Sequence, residues 1–461
     1  MKKLILPFLL LLAIAASAQL RLPAIIDDHM VVQRNTSVPI WGWAYPDQEI
    51  IIKTSWDTAT VKTRSGNTTF WKTEIKTPAA GGPHTITIRA GGEVRTLTDV
   101  MSGEVWLCSG QSNMEWGMDV AKDGKDLIPS INDPNIRLIH IPKSGTSTRQ
   151  VRGEGDWRVC DANSVKYFSA VAYFFGKKLN GELNVPIGLI NASWGGTNAE
   201  VWVPKEAIEK DAALVESFQK QQEHSWWPSE AGSVFNAMIN PILPYKIAGV
   251  IWYQGESNTV APSTYKKLME TLITEWRKEF KTDFRFYYVQ IAPYADYGVE
   301  NSATLIREQQ VKMLEIPKTG MVVVSDHVDN VKDIHPVHKK PVGERLANMA
   351  LAEMYDKKGI AYLTPLYKSM KVEKDKIRIT FENVTTLVSK GGEPTEFILA
   401  GEDKKFYPAK AKIEGNTVIV SAKEVKKPVA VRFAWGNGSI SNLFSKEGLP
   451  VSVFRTDDWD Y

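Results

Sequence analysis

Cysteine is scarce in this chain. Only Cys108 and Cys160 occur among 461 residues, so at most one disulfide can form, and a buried free thiol accounts for Cys108 equally well. An excess of either charge is missing too: 56 Lys and Arg stand against 53 Asp and Glu, a formal net charge of +3. Loss of Lys2 and Lys3 with an N-terminal leader lowers that from +3 to +1, which argues against a basic nucleic-acid-binding surface and suits small or neutral partners. Beyond the apolar run Leu4 to Ala16, no stretch approaches the ~20 residues of a spanning helix, so no membrane span is expected. Neither GxGxxG nor GxxxxGK[ST] occurs, which removes the usual phosphate-binding loops, and there is no HExxH zinc motif.

The leader itself has the form of a secretory signal. Two lysines precede the apolar run, and Ala16-Ser17-Ala18 fits a signal-peptidase site, so residues 1–18 are expected to be removed and the protein exported, periplasmic or secreted. From about Leu20 to Met101 short β runs alternate with Gly, Pro and Asn/Asp turns, as in Thr85-Ile86-Thr87-Ile88, predicting a small β-sandwich over 19–102. After Gly103 the period changes. Strand-like runs at Ile136–Ile141, Ile187–Ala192, Gly249–Gln254, Phe284–Ile291 and Gly320–Ser325 alternate with amphipathic stretches such as Thr264–Phe280 and Lys339–Tyr355. Strand and helix in turn predict a mostly parallel sheet covered on both faces over 103–358. Short strands return over 359–461 as a second β domain. The fold class is therefore α/β with flanking β-sandwich-type domains.

Four stretches carry chemistry. In Gly110-Gln111-Ser112-Asn113-Met114 an apolar strand ends in a loop that opens a helix, which sets the Ser112 hydroxyl at the crevice of an α/β sheet, beside backbone N–H groups that lack helical partners. Helix capping by Ser112 or Asn113 is the competing account. In Asn191-Ala192-Ser193-Trp194-Gly195-Gly196-Thr197-Asn198 a glycine pair follows a strand directly, so the Gly196 N–H is a candidate oxyanion donor. In Trp252-Tyr253-Gln254-Gly255-Glu256-Ser257-Asn258 a strand ends in clustered polar groups; Gln254 or Asn258 can supply a side-chain N–H, and Glu256 can fix its neighbours. Finally, Asp333-Ile334-His335-Pro336 sets a carboxylate near a loop histidine. A serine needs a base, and of seven histidines only His335 has that context. His335 and His338, three apart with Pro336 between them, are a poor zinc pair, so no metal site is expected.

These blocks, GQSNM, SWGGTNAEVW, WYQGESN and DIHP, resemble those of the SGNH-type serine esterases, with wording closest to the sialate O-acetylesterases; Trp435-Gly436-Asn437 through Leu449-Pro450 is also similar. The resemblance implies a flavodoxin-like α/β/α domain that removes acetyl groups from sugar hydroxyls without cofactor or metal. It assigns Ser112 as nucleophile, His335 as base and Asp333 as its orienting acid. An acetylated glycan or sialoside is the expected partner, with acetylxylan as the alternative substrate and a non-catalytic carbohydrate-binding protein as the alternative function. Two departures from the wider superfamily matter. The third block lacks Gly-x-Asn-Asp, which favours Gln254 over Asn258 as side-chain oxyanion donor. The acid stands two residues before the histidine rather than three, so Asp326, Asp329 and Glu256 are further candidates to orient the ring. Glu200, Trp202 and Trp116 are candidates for contact with the glycan.

Overall fold

The computed structural model describes residues 20–459. The signal-peptide expectation for residues 1–18 lies outside them. No helix among the described residues is long and apolar enough to cross a membrane.

The central sheet holds seven strands, in chain order β1 (Glu93–Gly110), β2 (Asn132–His140), β3 (Arg158–Asp161), β4 (Ile187–Ser193), β5 (Gly249–Tyr253), β6 (Arg285–Val289) and β7 (Thr319–Val322). Across the sheet the order is β7-β6-β5-β1-β4-β2-β3. All neighbours pair parallel except β2 and β3, which are antiparallel. The apolar runs that announced these strands are buried on both faces because alternate residues enter different cores. Val105 and Leu107 of β1 join Ile190, Val250, Trp252 and Phe286 on one face; Trp106 and Cys108 join Leu189, Ile251, Tyr253 and Tyr287 on the other.

Helices complete the layers. On the first face lie α3 (Tyr265–Phe280) and α4 (Ser302–Lys312); on the second, α2 (Ala170–Leu183) packs on α5 (Lys339–Met354). Ser169 starts α2 as a true cap, its hydroxyl accepting the Ala172 N–H at 3.1 Å. Because β4 and β5 flank β1 on opposite sides, the chain order reverses at β1, and the crevice at its carboxyl end is where ligands bind in such sheets.

The other layers are all β. In the N-terminal layer Glu49–Thr54 pairs antiparallel with Gly81–Ala90, which in turn pairs with the first half of β1. One strand there, Asp57–Arg64, was not expected. Its Asp, Ala, Thr and Lys residues are mostly exposed and Val61 alone packs on the core, so the alternation that marks a half-buried strand is missing. The expected division between residues 102 and 103 falls inside β1, which runs unbroken from the β layer into the central sheet. In the C-terminal region two four-stranded antiparallel sheets share a core that includes Ile377, Phe381, Phe397, Val431 and Phe433. That region docks through the stretch noted at Trp435-Gly436-Asn437: Asn437 Oδ1 accepts the Ala303 N–H at 2.9 Å at the start of α4, and the Arg307 guanidinium donates to Gly436 O at 2.6 Å.

Cys108 and Cys160 are free and buried. They lie on β1 and β3, three strand spacings apart, or about 14 Å, beyond the reach of a disulfide. Burial pushes both thiols well above the usual range, which makes them inert.

Candidate active site

At the carboxyl end of β1 the backbone makes a turn that only glycine permits. Gly110 has φ +135°, and a Cβ there would stand 2.2 Å from Tyr253 O. Gln111 then locks the first block to the third: its N–H donates to Tyr253 O at 3.0 Å, and its Oε1 accepts the N–H groups of Gly255 and Ser257 at 3.3 and 3.4 Å. Ser112 follows as the first residue of a four-residue helix, α1 (Ser112–Glu115). Gln111, not Ser112, occupies the cap position, so the Ser112 hydroxyl is not consumed in capping.

Across 223 residues of sequence, His335 Nε2 lies 2.8 Å from Ser112 Oγ. The imidazole stacks on the Trp116 indole, with ring centroids 4.6 Å apart and planes at 20°, which fixes its plane. Burial holds His335 below its usual pKa, aided by the Lys339 cation and opposed by Asp333 and Glu115. Among the carboxylates weighed for orienting the ring, Asp333 is the one that faces it: its Oδ1 accepts the His335 backbone N–H at 2.9 Å and lies 4.0 Å from Nδ1. That second distance is too long for a hydrogen bond, though such contacts tighten when substrate binds. Asp326 is taken up by Arg345 through two 2.7 Å bonds, and Asp329 by His338 at 2.9 Å and Lys122 at 3.2 Å. Glu256 is held elsewhere, as described below. On this geometry D333N should lower kcat/KM by about 10–100-fold, less than loss of the base itself costs. D329N should stay near wild type, and D326N should be felt first as a lower melting temperature. Parallel kinetics and melts of the three variants check this; a dead D329N with an active D333N would reverse the assignment.

The glycine pair of the second block closes on Ser112. A Cβ on Gly195 would lie 3.2 Å from Ser112 Cβ, and the Gly195 N–H donates to Glu115 Oε2. Gly196 has φ +81°. Two expected donors are not brought to this point. Gln254 is fully buried, its Nε2 donating to Asn258 Oδ1 at 2.7 Å and Thr197 O at 3.3 Å while its Oε1 accepts from Tyr265. Asn258 accepts the Ala199 N–H at 2.9 Å and donates to Glu200 Oε2 at 2.9 Å. Their amides brace the second block against the third, so side-chain donation from either to an oxyanion at Ser112 is corrected: both are satisfied internally. Glu200 and Trp202 are wholly buried within the same brace and do not face a glycan.

Glu256 was readable in the sequence as a residue that can fix its neighbours, but Lys339 was missed. Lys339, buried at the start of α5, donates to Asn113 Oδ1 at 2.6 Å; Asn113 Nδ2 donates to Glu256 Oε1 at 2.7 Å and to Ile334 O at 3.0 Å. The network therefore ties the residue after Ser112 to the residue before His335. Burial pushes the Lys339 ammonium down to about 7, against the pull of Glu256 and Asp333, and raises the Glu256 carboxyl. One signal was available: a lysine in the first turn of a helix opposes the macrodipole, so its reason must lie outside the helix. No group of three or more His, Cys, Asp or Glu that could hold a metal occurs among the described residues.

Comparison with known proteins bears on this site. The family described as carbohydrate esterase, sialic acid-specific acetylesterase, matches residues 102–352. Sialate O-acetylesterase of Rattus norvegicus is 27% identical, with 90% of this chain and 89% of that protein covered. The Homo sapiens sialate O-acetylesterase is 26% identical over 94% of this chain and 90% of its own length. A carbohydrate acetylesterase of Xanthomonas citri, known from its crystal structure, superposes with a TM-score of 0.87 at 34% identity, covering 95% of this chain and all of that one.

Proposed function

Since the chain belongs to the sialic acid-specific acetylesterase family of carbohydrate esterases, and is an esterase rather than a non-catalytic binder, we propose that it hydrolyses acetyl esters of sialic acid hydroxyls with Ser112 as nucleophile. The observation that carries this reading is the 2.8 Å contact between Ser112 Oγ and His335 Nε2. His335 takes the Ser112 proton as the oxygen attacks the acetyl carbonyl. The main-chain N–H groups of Ser112 and Gly196 receive the charge that develops on the carbonyl oxygen. His335 then passes the proton to the departing sugar hydroxyl, leaving an acetyl group on Ser112. Water, deprotonated by the same imidazole, releases acetate. Asp333 supports the imidazolium formed in each half-reaction. Acetate release from O-acetylated sialosides, with acetylxylan alongside, tests the proposal; turnover confined to acetylxylan would overturn the sialate assignment, and no turnover on either would overturn the whole.

The proton bookkeeping sets a pH dependence. His335 acts as base only when neutral, so kcat/KM falls as pH drops through its pKa in the folded protein. Burial depresses that pKa, so the base stays neutral to lower pH, and the acid limb is expected to lie below about 6.5. A pH series corrected for spontaneous ester hydrolysis checks this. A midpoint above about 7 would contradict a depressed histidine.

A further inference from the structure

Beside the glycine pair lies a group of aromatic side chains that the chemistry above does not use. The loop at residues 221–230 carries His224, Trp226 and Trp227, with His224 and Trp227 centroids 4.2 Å apart and the two indoles edge to face at 5.5 Å. Trp227 seats this group on the active site: a Cβ on Gly196 would stand 2.3 Å from its ring, and Gly195, the adjoining residue, meets Ser112. Pro228 packs against Gly145 on the other side. Trp226, packed edge to face on Trp227, is left 69% exposed, with a wide apolar surface turned to solvent.

We propose that Trp226, supported by Trp227 and His224, is a binding subsite for the pyranose next to the acetylated sugar. This inference rests on Ser112 being the reacting residue. A pyranose presents a face of axial C–H bonds that lies flat on an indole, while its hydroxyls stay in water at the rim. The loop carries Glu223 and Glu230 and no Lys or Arg that could hold a carboxylate, so the platform suits a neutral ring rather than an acidic one. The platform connects to Ser112 through one unbroken set of contacts, Trp226 to Trp227, Trp227 to Gly196 and Gly195 to Ser112, which places the neighbouring ring of a glycan beside the reacting one. An acetylated sugar at Ser112 with a neutral neighbour on Trp226 describes a glycan chain, and the enzyme should prefer it to the free acetylated monosaccharide.

Kinetics of wild type, W226A and W226F test this on matched esters: O-acetylated sialyllactose against free O-acetylated sialic acid, acetylated xylotriose against acetylated xylose, and 4-nitrophenyl acetate as a substrate without sugar. In W226A the ratio of kcat/KM on the oligosaccharide to that on 4-nitrophenyl acetate should fall roughly tenfold, carried by KM, with W226F recovering most of it. An unchanged ratio, or a wild type that does not favour either oligosaccharide over its monosaccharide, overturns the subsite. A second arm does not need turnover: deacetylated sialyllactose or xylotriose should quench the tryptophan fluorescence of S112A, and not of S112A/W226A. If wild type hydrolyses none of these esters, the Ser112 mechanism fails while the quench still decides the platform, supporting it when present and overturning it when absent.

Discussion

Alanine at position 112 is expected to lower acetate release by about 10⁴- to 10⁶-fold, the range in which loss of a serine nucleophile leaves only the binding and oxyanion contributions. The protein should stay folded. The Ser112 hydroxyl has one hydrogen bond to lose, to His335, worth about 1 kcal/mol. What holds the turn in place is main chain: Gly110, the Gln111 bonds to Tyr253, Gly255 and Ser257, and the two neighbours of β1. Acetate assays beside a thermal melt separate the two effects. An S112A protein that melts normally and keeps more than a few per cent of turnover would remove the acyl-serine route.

The H335A variant should lose about 10²–10⁴-fold or more, because an unactivated hydroxyl is a poor nucleophile at neutral pH. Here too the loop should hold, since Asn113 bonds Ile334 O and not the imidazole. The space left between Trp116 and Ser112 has the shape of the missing ring, so added imidazole should restore part of the activity. The controls are H327A and H338A: His338 is engaged with Asp329, and His327 sits 3.5 Å from Asp326 rather than near Ser112. Near-normal turnover in H335A, or a dead H327A, would move the base.

Much of this was legible in the sequence, and the parts that were not share a cause. The runs at Val105–Cys108, Ile187–Ala192 and Gly249–Gln254 announced strands because burial on two faces makes them almost wholly apolar, with Asn191 and Gln254 standing only at or near their carboxyl ends. Ser112 and His335 were readable because a hydroxyl past a strand end and a loop histidine beside a carboxylate are local patterns. Gln254 misled because an amide at a strand end looks the same whether it faces substrate or buried partners; Asn258 and Tyr265 are near in sequence, but only the fold turns them onto it, and Thr197 O comes from 57 residues away. Gln111 was passed over for the same reason, its acceptor role being defined only when the Gly255 and Ser257 amides arrive. Glu256 was named as a residue that can fix its neighbours, but its partner Asn113, 143 residues away, and Lys339 beyond it are set by the fold and by no spacing rule. Asp57–Arg64 was missed because an edge strand with Val61 as its one core contact carries no apolar alternation.

The 18 residues of β1 belong to two sheets at once, antiparallel to Gly81–Ala90 at one end and parallel to β4 and β5 at the other. Peeling away the N-terminal β layer therefore strips hydrogen bonds from the strand whose last residue sets the backbone turn before Ser112. Subglobal opening of one layer therefore reaches across residues 102/103 through a shared strand, and hydrogen exchange of the two layers is expected to be coupled. Ile86 and Ile88, which pair with the first half of that strand, are thereby joined to the turn before Ser112 by one continuous backbone.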